Sequence, residues 1–434
     1  MKFPGRRKHK HYFPVQDKNS LIGQFHKAEP LQHSYIVGID QVLVDIEAKV
    51  GDEFLERYNL KKGMSQLIED DVTEALYAEL QEKALINYEF AGGTIGNTLH
   101  NYSVLADDRS VLLGVMSENI KIGSYSYKYL SNTSSRVDLN YLQPVDGPIG
   151  RCFTLIDSQG ERTFAISPAM INKLSTEYVD KEVIQNASAL VFAAYSMRTN
   201  PGDTMTEATL KAVEYANEAG VPVVLTLGTK FLIEQNPEWW QEFVKKHVDI
   251  LTMNEEEAEA ITGIQNPLLA ASKALDWVDM VMCTAGPVGL YMAGHCDKKY
   301  LRETEQQFID AEIAEFNRYE YSRPMRLQDC EEPVKVYSYI PPYMGGPDKI
   351  MNTNGAGDGA LAAVLHDICA NEYHKLNVEK STKHEQPAIT YSSLSQISKY
   401  ANRVSYEVLA QHSPRLSKGL PEREEVLDMA YWAT

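Results

Sequence analysis

The sequence predicts an α/β fold in which a mostly parallel sheet is covered by helices on both faces. From about residue 189 onward, short apolar β-prone segments alternate with amphipathic helical segments, which is typical of strand–helix–strand units. The composition, 44% hydrophobic and 24% charged, is that of a globular protein. In such sheets ligands bind beyond the carboxyl ends of the strands, so we expect the functional residues in the loops there.

The elements before residue 120 follow from local patterns. Residues 1–33 are polar and predict an extension outside the fold. Residues 34–50 predict a buried strand that continues into an alternating one. Residues 91–106 open with glycines and continue in a helical pattern, and residues 109–119 predict another strand. The first half of the chain therefore already contains strand, glycine turn, helix and strand.

A β-hairpin is predicted over 150–168, because two β-prone runs flank the turn sequence Asp157-Ser158-Gln159-Gly160. A hairpin within an α/β pattern suggests a flap over a site. The alternation then predicts helices at 205–220, 237–247 and 254–263, and strands at 189–195, 221–228, 248–253, 278–286 and 288–293. A charged insertion at about 296–333 precedes a strand at 334–342 and two final helices, and we expect it near the nucleotide base of a bound ligand.

Composition excludes several classes of function. The net charge of −18 argues against nucleic acid as the main partner. No apolar run reaches the roughly 20 residues of a membrane span, and the basic N-terminus lacks the apolar core of a signal peptide. Five scattered cysteines without a CxxC pair indicate neither structural zinc nor a disulfide framework. We expect a cytoplasmic protein with small-molecule partners, for which a homodimer is a possible assembly.

The most informative motif is NTNGAGDG at 352–359, directly before an apolar helical run. Gly355, Ala356 and Gly357 let the backbone approach a ligand closely, and the unpaired amides of a helix N-terminus suit a phosphoryl group. Asp358 has two interpretations. It is either the N-cap of the helix or a general base that accepts a hydroxyl proton.

A second group of polar residues precedes it in the sequence. The segment 91–97 (AGGTIGN) combines a glycine turn with Asn97, whose amide can donate to and accept from sugar hydroxyls. Asp40 and Asp45 lie in a largely apolar stretch, where a carboxylate is unfavourable unless it is paired or functional. They are either ribose-binding carboxylates or solvated residues that face a flap.

Two further turns could contact a nucleotide. Asn254 and Glu257 follow the strand at 248–253 and share one face of a helix start. There they either order water around a phosphate-bound Mg²⁺ or form a charged first turn that favours the helix dipole. Thr284, Gly286 and Gly289 form a glycine-rich turn between two strands, which suits nucleotide contact but is weak evidence by itself.

Taken together and in this order, these motifs resemble the ribokinase-like (PfkB-type) carbohydrate kinase family over about residues 34–411. The family pattern is Gly-Gly followed by Asn, then NxxE, TxGxxG and DTxGAGD. The resemblance implies a three-layer α/β sandwich with a mostly parallel central sheet and a small β-strand lid. The kinase domain would span 34–434, with lid strands from about 41–66 and 135–168, the latter range including the family's Gly-Glu-Arg turn at 160–162.

The resemblance also implies roles. The γ-phosphoryl of ATP, bound with Mg²⁺, would pass to a substrate hydroxyl, with Asp358 as base and the 355–358 amides holding the transferring group. Asp45 would bind ribose, assisted by Asp40, Gly93, Thr94 and Asn97. The nucleotide-binding residues would be Asn254, Glu257 (through water to Mg²⁺), Thr284, Gly286, Gly289 and Asn354. K⁺ is a possible second cation, but the chain has Asn352 where the family usually has Asp.

For the substrate, the first strand resembles nucleoside kinases more than sugar kinases, and the NTNGAGDGA form, the insertion and the N-terminal extension resemble those that act on inosine and guanosine. Transfer to the 5′-hydroxyl would give IMP or GMP. A 6-oxopurine needs a hydrogen-bond donor at O6. Arg198, just past a strand, either contacts the base or the product phosphate, or is a surface residue. The alternatives are a kinase for adenosine or a sugar, a nucleotide-binding regulator without turnover, and an assembly protein.

Overall fold

The computed structural model describes residues 34–106, 108–198, 202–304, 318–342, 350–378 and 380–420. The predicted N-terminal extension lies outside the described residues, as do 305–317 of the predicted insertion. No helix in the described ranges is both long enough and apolar enough to cross a membrane.

The strands of the described residues are β1 (Ile36–Ile39), β2 (Leu43–Lys49), β3 (Ser65–Leu67), β4 (Ile86–Ala91), β5 (Ser110–Ser117), β6 (Val137–Asp138), β7 (Leu142–Val145), β8 (Gly150–Ile156), β9 (Arg162–Ser167), β10 (Ala189–Ala193), β11 (Val223–Thr226), β12 (Ile250–Asn254), β13 (Met280–Ala285), β14 (Gly289–Asp297) and β15 (Pro333–Ile340).

The α-helices are α1 (Asp52–Arg57), α2 (Asp70–Glu82), α3 (Thr94–Ala106), α4 (Tyr125–Ser131), α5 (Lys181–Gln185), α6 (Met205–Ala219), α7 (Lys230–Gln235), α8 (Pro237–His247), α9 (Glu255–Thr262), α10 (Pro267–Ala274), α11 (Ala356–Asn377) and α12 (Leu394–Leu409).

The main sheet has the strand order β15-β14-β13-β12-β11-β10-β1-β5-β6, with β7 also paired to β5. Pairing is parallel from β13 through to β6, and antiparallel only where β14 and β15 join. β1, β5 and β10 are buried along their whole length, as expected for parallel strands covered on both faces. The predicted α/β class, with helices on both sides of a mostly parallel sheet, is confirmed.

A second sheet, in the order β3-β9-β8-β2-β4, lies beside the carboxyl edge of β1 because the chain passes directly from β1 into β2. It contains the predicted hairpin, formed by β8 and β9 around Gly160 with φ +86°. It differs from the expected lid ranges at two points. Residues 86–91 join it as β4, whereas β6 and β7 pair with β5 in the main sheet.

Local signals determine where the helices of the main sheet begin and end. α6 ends at Gly220, which adopts φ +68°, as the C-terminal glycine predicted. α8 begins after Asn236, whose side chain accepts a hydrogen bond from the amide of Trp239, and has Pro237 in its first turn.

The expected location of the insertion is wrong for its described part. The insertion follows the end of β14 at Asp297, whereas the TxGxxG turn lies at the start of β14, about 27 Å away for a strand of this length. Arg323, within the insertion, donates hydrogen bonds to the carbonyls of Lys383 and Thr390, in the connection between α11 and α12. The described part therefore lies at the amino edge of the sheet, because an antiparallel β14 carries the chain away from the carboxyl edge.

Candidate active site

The predicted glycine loop forms the N-terminus of α11. Gly355 is the residue before the first turn and adopts φ +81°, and no side chain caps the helix. A Cβ at this position would lie 2.5 Å from the Cβ of Pro414, so glycine is required by both conformation and space. The first amides of α11 thus keep their hydrogen-bond donors free for a ligand.

The N-cap interpretation of Asp358 is wrong, because Gly355 occupies that position and Asp358 is the third residue of the helix. Oδ2 of its carboxylate accepts a hydrogen bond from Nδ2 of Asn97 (3.1 Å). Asn97 lies in the first turn of α3. Two helix N-termini, 261 residues apart in sequence, therefore meet at this side-chain pair.

Asp40 and Asp45 lie beside the glycine turn before α3. Oδ2 of Asp40 accepts a hydrogen bond from the amide of Gly96 (2.6 Å), and a Cβ on Gly93, which has φ +88°, would collide with the same oxygen. Asp40 therefore stabilises the start of α3. Asp45, in β2, contacts Gly92 and hydrogen bonds with Cys152 of β8, and it is the less engaged of the two carboxylates.

The three carboxylates form one electrostatic cluster. Burial raises the pKa of Asp358 to about 7; the charges of Asp40 and Asp45 add to this, and Asn97 and Arg415 oppose it. Burial likewise raises the pKa of Asp40 to about 7 and that of Asp45 to about 6, with Arg415 opposing both. Perturbed carboxyl groups in a cleft are typical of functional sites.

Arg162 connects the lid hairpin to the glycine loop. Its Nη1 donates to Oγ1 of Thr353 (2.8 Å) and to Oδ1 of Asn354 (2.8 Å), and its Nη2 lies 3.5 Å from Oδ1 of Asn352. Asn352 is itself held, since its Nδ2 donates to the carbonyl of His412 (2.8 Å). Arg162 thus joins the lid hairpin to the three residues that precede the N-terminus of α11.

Asn254 and Glu257 form a capping box at the start of α9. The main-chain amide of Glu257 donates to Oδ1 of Asn254 (2.8 Å), and the main-chain amide of Asn254 donates to Oε2 of Glu257 (2.9 Å). The first turn of α9 is acidic, as the structural interpretation expected, and the capping box is an additional structural role that the sequence analysis did not predict. The nucleotide role of the pair stays a prediction. Burial raises the pKa of Glu257 to about 7. Asn254 pairs in register with Thr284 at the end of β13, so these motifs are neighbours at the carboxyl edge.

The remaining candidates lie at the turn after β13, at the first residue of α3 and just after β10. Gly286 (φ +45°) and Gly289 (φ +132°) bracket the turn between β13 and β14. Thr94 is the first residue of α3. Arg198 follows β10 with its guanidinium 5.8 Å from the Tyr195 ring centroid. It lines a cavity of about 520 Å³ between the lid and α7–α8.

Sequence reasoning missed Arg415 and did not assign Arg162 a role. Arg415 is 4% exposed and donates hydrogen bonds to Asn97 and to the carbonyl of Gly92. It belongs to no motif, and an isolated arginine near a C-terminus carries no signal of its position. Among the described residues, no cluster of three or more His, Cys, Asp or Glu side chains forms a ready-made metal centre.

Comparison with known proteins gives a full-length relative. The chain is 65% identical over 432 residues to the guanosine-inosine kinase of Escherichia coli (strain K12), covering 100% of both chains. Adenosine kinase 2 of Arabidopsis thaliana is 23% identical over 236 residues, which cover 53% of this chain and 65% of the relative.

Solved structures resemble the whole fold. The adenosine kinase from Sinorhizobium meliloti superposes with a TM-score of 0.63 at 20% identity, covering 90% of this chain and 98% of that one. A probable sugar kinase from Rhizobium etli CFN 42 gives a TM-score of 0.65 at 17% identity, covering 89% and 96%. These likenesses confirm the predicted ribokinase-like fold. The model of the pfkB family carbohydrate kinases matches residues 89–311, and the chain belongs to that family.

Proposed function

We propose that the protein is an ATP-dependent nucleoside kinase that phosphorylates the 5′-hydroxyl of guanosine or inosine. The observation that carries the proposal is Asp358, which lies at an uncapped helix N-terminus and is bonded to Asn97 beside Asp45. A base and a phosphoryl-binding set of amides in one place suit transfer from a phosphate donor to an alcohol. The E. coli relative named as a guanosine-inosine kinase supports the choice of nucleoside.

Asp358 would accept the proton of the attacking 5′-hydroxyl as the new P–O bond forms and the bond to the leaving ADP breaks. Its pKa of about 7, raised by burial, makes it a better proton acceptor than an ordinary aspartate, yet leaves a substantial ionised fraction near neutral pH. Asn97 would hold one carboxylate oxygen, so the other can face the hydroxyl. Phosphoryl transfer depends mainly on such positioning.

The amides of Gly355, Ala356, Gly357 and Asp358 would bind the oxygens of the transferring phosphoryl group, where negative charge is spread in the transition state. Asn354, the residue before Gly355, would also bind the nucleotide. Its side chain already accepts a hydrogen bond from Arg162, so the lid and the loop would close around the phosphate together.

A magnesium ion fits the residues near α9 only as a phosphate-bound ion with ordered water. Both oxygens of Glu257 accept a hydrogen bond from Asn254, and the carboxylate also accepts one from the backbone amide of Gly228, which leaves one of its roughly four lone-pair positions for water. Mg²⁺ commonly retains several waters and binds through one or two carboxylates plus phosphates. When bound, the ion would neutralise phosphate charge. Thr284, Gly286 and Gly289, next to Asn254 along the same edge, would contact the rest of ATP.

On the nucleoside side, Asp45 would accept hydrogen bonds from the ribose hydroxyls. Gly93 and Thr94 would supply close backbone contact there, and the amide of Asn97 lies within the same turn. Asp40 would act mainly by holding this turn, because its Oδ2 is already bonded to Gly96. The ribose would then lie under the lid with its 5′-carbon directed at Asp358.

The lid sheet indicates where the base would go. Asp45, Cys152, Ile166 and Leu67 are cross-strand neighbours in one row, so their side chains share a face. Ile166 and Leu67 line the cavity that contains Arg198, about two to three strand spacings from Asp45, which is the length scale of a nucleoside. Among the described residues, the half-buried guanidinium of Arg198 has no hydrogen-bond acceptor. A 6-oxopurine would provide acceptors at O6 and N7.

The test of the function is phosphate transfer from ATP·Mg²⁺ to guanosine, inosine, adenosine, ribose and fructose, with and without K⁺. Turnover led by guanosine and inosine is expected. Turnover of only adenosine or a sugar would retain the kinase chemistry and reject the substrate. No turnover with any acceptor would favour a nucleotide-binding regulator. Comparing turnover with and without K⁺ shows whether the enzyme depends on K⁺ when Asn352 replaces the family's usual Asp. The mass in solution decides between a monomer and a homodimer.

The role of Arg198 is tested by comparing Arg198→Ala and Arg198→Lys on inosine and adenosine. Loss of a donor to O6 should lower kcat/KM for inosine about tenfold or more, with little change for adenosine, which lacks that acceptor. Equal losses on both substrates, or none, would remove Arg198 from base recognition. Cytoplasmic location, also proposed, is checked by cell fractionation.

A further inference from the structure

Arg415 is the buried cation at the centre of the carboxylate cluster, and it comes from the segment after α12. We propose that Arg415 is a positioning residue for the phosphoryl transfer: it holds Asn97, and through Asn97 the carboxylate of Asp358, in the reactive arrangement. The inference rests on the proposed function, since it assigns a role within that reaction. Its basis is a set of direct contacts.

Each nitrogen of the guanidinium has a partner from a different part of the site. Nε donates to Oδ1 of Asn97 (2.9 Å), and Nη2 donates to the carbonyl of Gly92 (3.0 Å). Nη1 donates to Oγ1 of Thr133 (2.6 Å), and the guanidinium carbon lies 4.8 Å from the centre of the Tyr129 ring. The rigid fork of arginine therefore connects the ribose-side glycine turn, α3 and α4.

The bond to Asn97 determines which way its amide points. With Oδ1 accepting from Arg415, Nδ2 must face Asp358 and donate to it (3.1 Å). Without the arginine, the amide could rotate and present oxygen to the carboxylate, which is repulsive. Arg415 therefore acts on Asp358 through one intervening side chain, without touching the reacting atoms.

The segment that carries Arg415 is itself fixed to the site. Nδ2 of Asn101 donates to the carbonyl of Pro414 (3.1 Å), and its Oδ1 accepts from the amide of Leu416 (2.7 Å). Pro414 packs against Gly355, where a Cβ would collide with it. One short stretch of chain thus contacts both the glycine loop, through Pro414, and Asn97, through Arg415, so it fixes the position of Asn97 relative to the N-terminus of α11.

The charges around Arg415 agree with this geometry. Its positive charge opposes the burial that raises the pKa values of Asp40, Asp45 and Asp358. The other titratable groups facing the cluster are Tyr129, Cys152 and His100; burial lowers the pKa of His100 to about 4, and Arg415 contributes to that shift. Burial and neighbouring negative charge raise the pKa values of Tyr129 and Cys152. Arg415 is therefore the cation that favours ionised carboxylates here.

The experiment compares Arg415→Gln and Arg415→Lys with Arg323→Gln. Arg323 is a matched control, because it is 7% exposed and also donates to buried carbonyls and an amide, but near the α11–α12 connection. We expect Arg415→Gln to lower kcat for guanosine about 100-fold with a small change in KM for ATP, and Arg415→Lys to recover part of it. Arg323→Gln should lower thermal stability with kcat unchanged.

A pH profile separates positioning from packing. In Arg415→Gln the acidic limb of kcat/KM should move upward by about one pH unit, because the carboxylates lose their cation, whereas Arg415→Lys should keep the wild-type limb. If kcat and the limb stay at wild-type values in Arg415→Gln, the proposal is wrong. If that variant does not fold, Arg415→Lys decides: a wild-type kcat would then reject the role of the fork.

Carboxyl ¹³C titration of Asp358 in the substrate-free protein keeps the two proposals separable. A higher Asp358 pKa in Arg415→Gln than in the wild type supports the inference even if no nucleoside is phosphorylated, in which case only the proposed function fails. An unchanged titration with an active wild type would retain the function and reject the role of Arg415.

Discussion

Two helices, α9 and α11, begin at the carboxyl edge of the main sheet and carry an acidic residue at the same third position, yet they use it differently. In α9, Asn254 caps the helix and Glu257 returns a hydrogen bond to the backbone. In α11, Gly355 provides no side chain, and Asp358 is bonded to Asn97 of another helix. The capped start satisfies its own amides, while the uncapped one leaves them for a ligand.

The physical reason lies in the residue before the helix. An asparagine side chain competes with any ligand for the first amides, whereas a glycine at φ +81° exposes them and turns the chain sharply. A carboxylate that does not cap its own helix can act as a proton acceptor. The comparison therefore teaches that the same acidic position is structural or functional depending on the cap.

Replacing the acid of the uncapped helix should have the largest effect. Asp358→Asn removes the proton acceptor but preserves shape, and we expect kcat to fall about 10²- to 10⁴-fold, measured as phosphate transfer from ATP to guanosine. Turnover near the wild-type level would contradict the assignment of Asp358 as base.

The same variant should be more stable than the wild type at neutral pH. The pKa of Asp358 rises from 3.8 to about 7 on folding, so its ionisation destabilises the substrate-free protein progressively as pH rises from about 4 to 7. Asp358→Asn should remove this loss, on the order of 1–3 kcal/mol at pH 7, and leave stability at pH 4 unchanged. Urea unfolding at the two pH values measures it.

Gly355→Ala tests the conformation of the uncapped start. A non-glycine residue at φ +81° is strained by about 1–2 kcal/mol, and its Cβ would displace Pro414. We expect lower stability and about tenfold slower turnover. Gly263→Ala, after α9, is the control: its φ is +74° with no atom within 4 Å. Gly263→Ala should lose only the stability that backbone strain accounts for, less than Gly355→Ala, and no activity. Equal kcat losses in the two variants would show that backbone strain alone matters.

Glu257→Gln and Glu257→Ala separate the two roles at the capped helix. Glutamine retains a capping box, as Gln396 does with Ser393 at α12, and it removes a buried charge whose pKa is raised to about 7, so Glu257→Gln should not destabilise the protein at neutral pH. If Glu257 also orders water around Mg²⁺, its loss of charge should raise the Mg²⁺ concentration for half-maximal activity a few-fold. Glu257→Ala should additionally destabilise by about 1 kcal/mol. An unchanged Mg²⁺ titration in both variants would leave Glu257 a capping residue alone.

Asn352→Asp should have the smallest effect on turnover. Nδ2 of Asn352 donates to the carbonyl of His412, and an aspartate would oppose that carbonyl with a negative oxygen. We expect destabilisation of about 1–3 kcal/mol, seen as a lower Tm, and no gain in K⁺ activation. A strong potassium response in the variant would show that the family's usual aspartate works in this chain.

Much of the fold was predictable because its signals are local. Apolar runs identified β10 through β13, Gly220 marked the end of α6, and the turn at 157–160 marked the hairpin. Local sequence patterns did not predict which strands pair. β4 joined the lid sheet and β6 the main sheet, because the sequence of a short strand carries no information about its partner. The insertion was misplaced because the expectation ignored the direction in which β14 runs.

By itself, the sequence determined the α/β class, the family and the glycine-rich motif with Asp358, because each depends on residue types at fixed short spacings. Tertiary structure alone decided that Asp358 is not an N-cap, that Asp40 supports the turn before α3, and that Arg415 and Arg162 reach the site. The contacts of Arg162 and Arg415 join residues some 190 to 320 positions apart. At such separations the folded path of the chain, rather than any local pattern, determines which side chains meet.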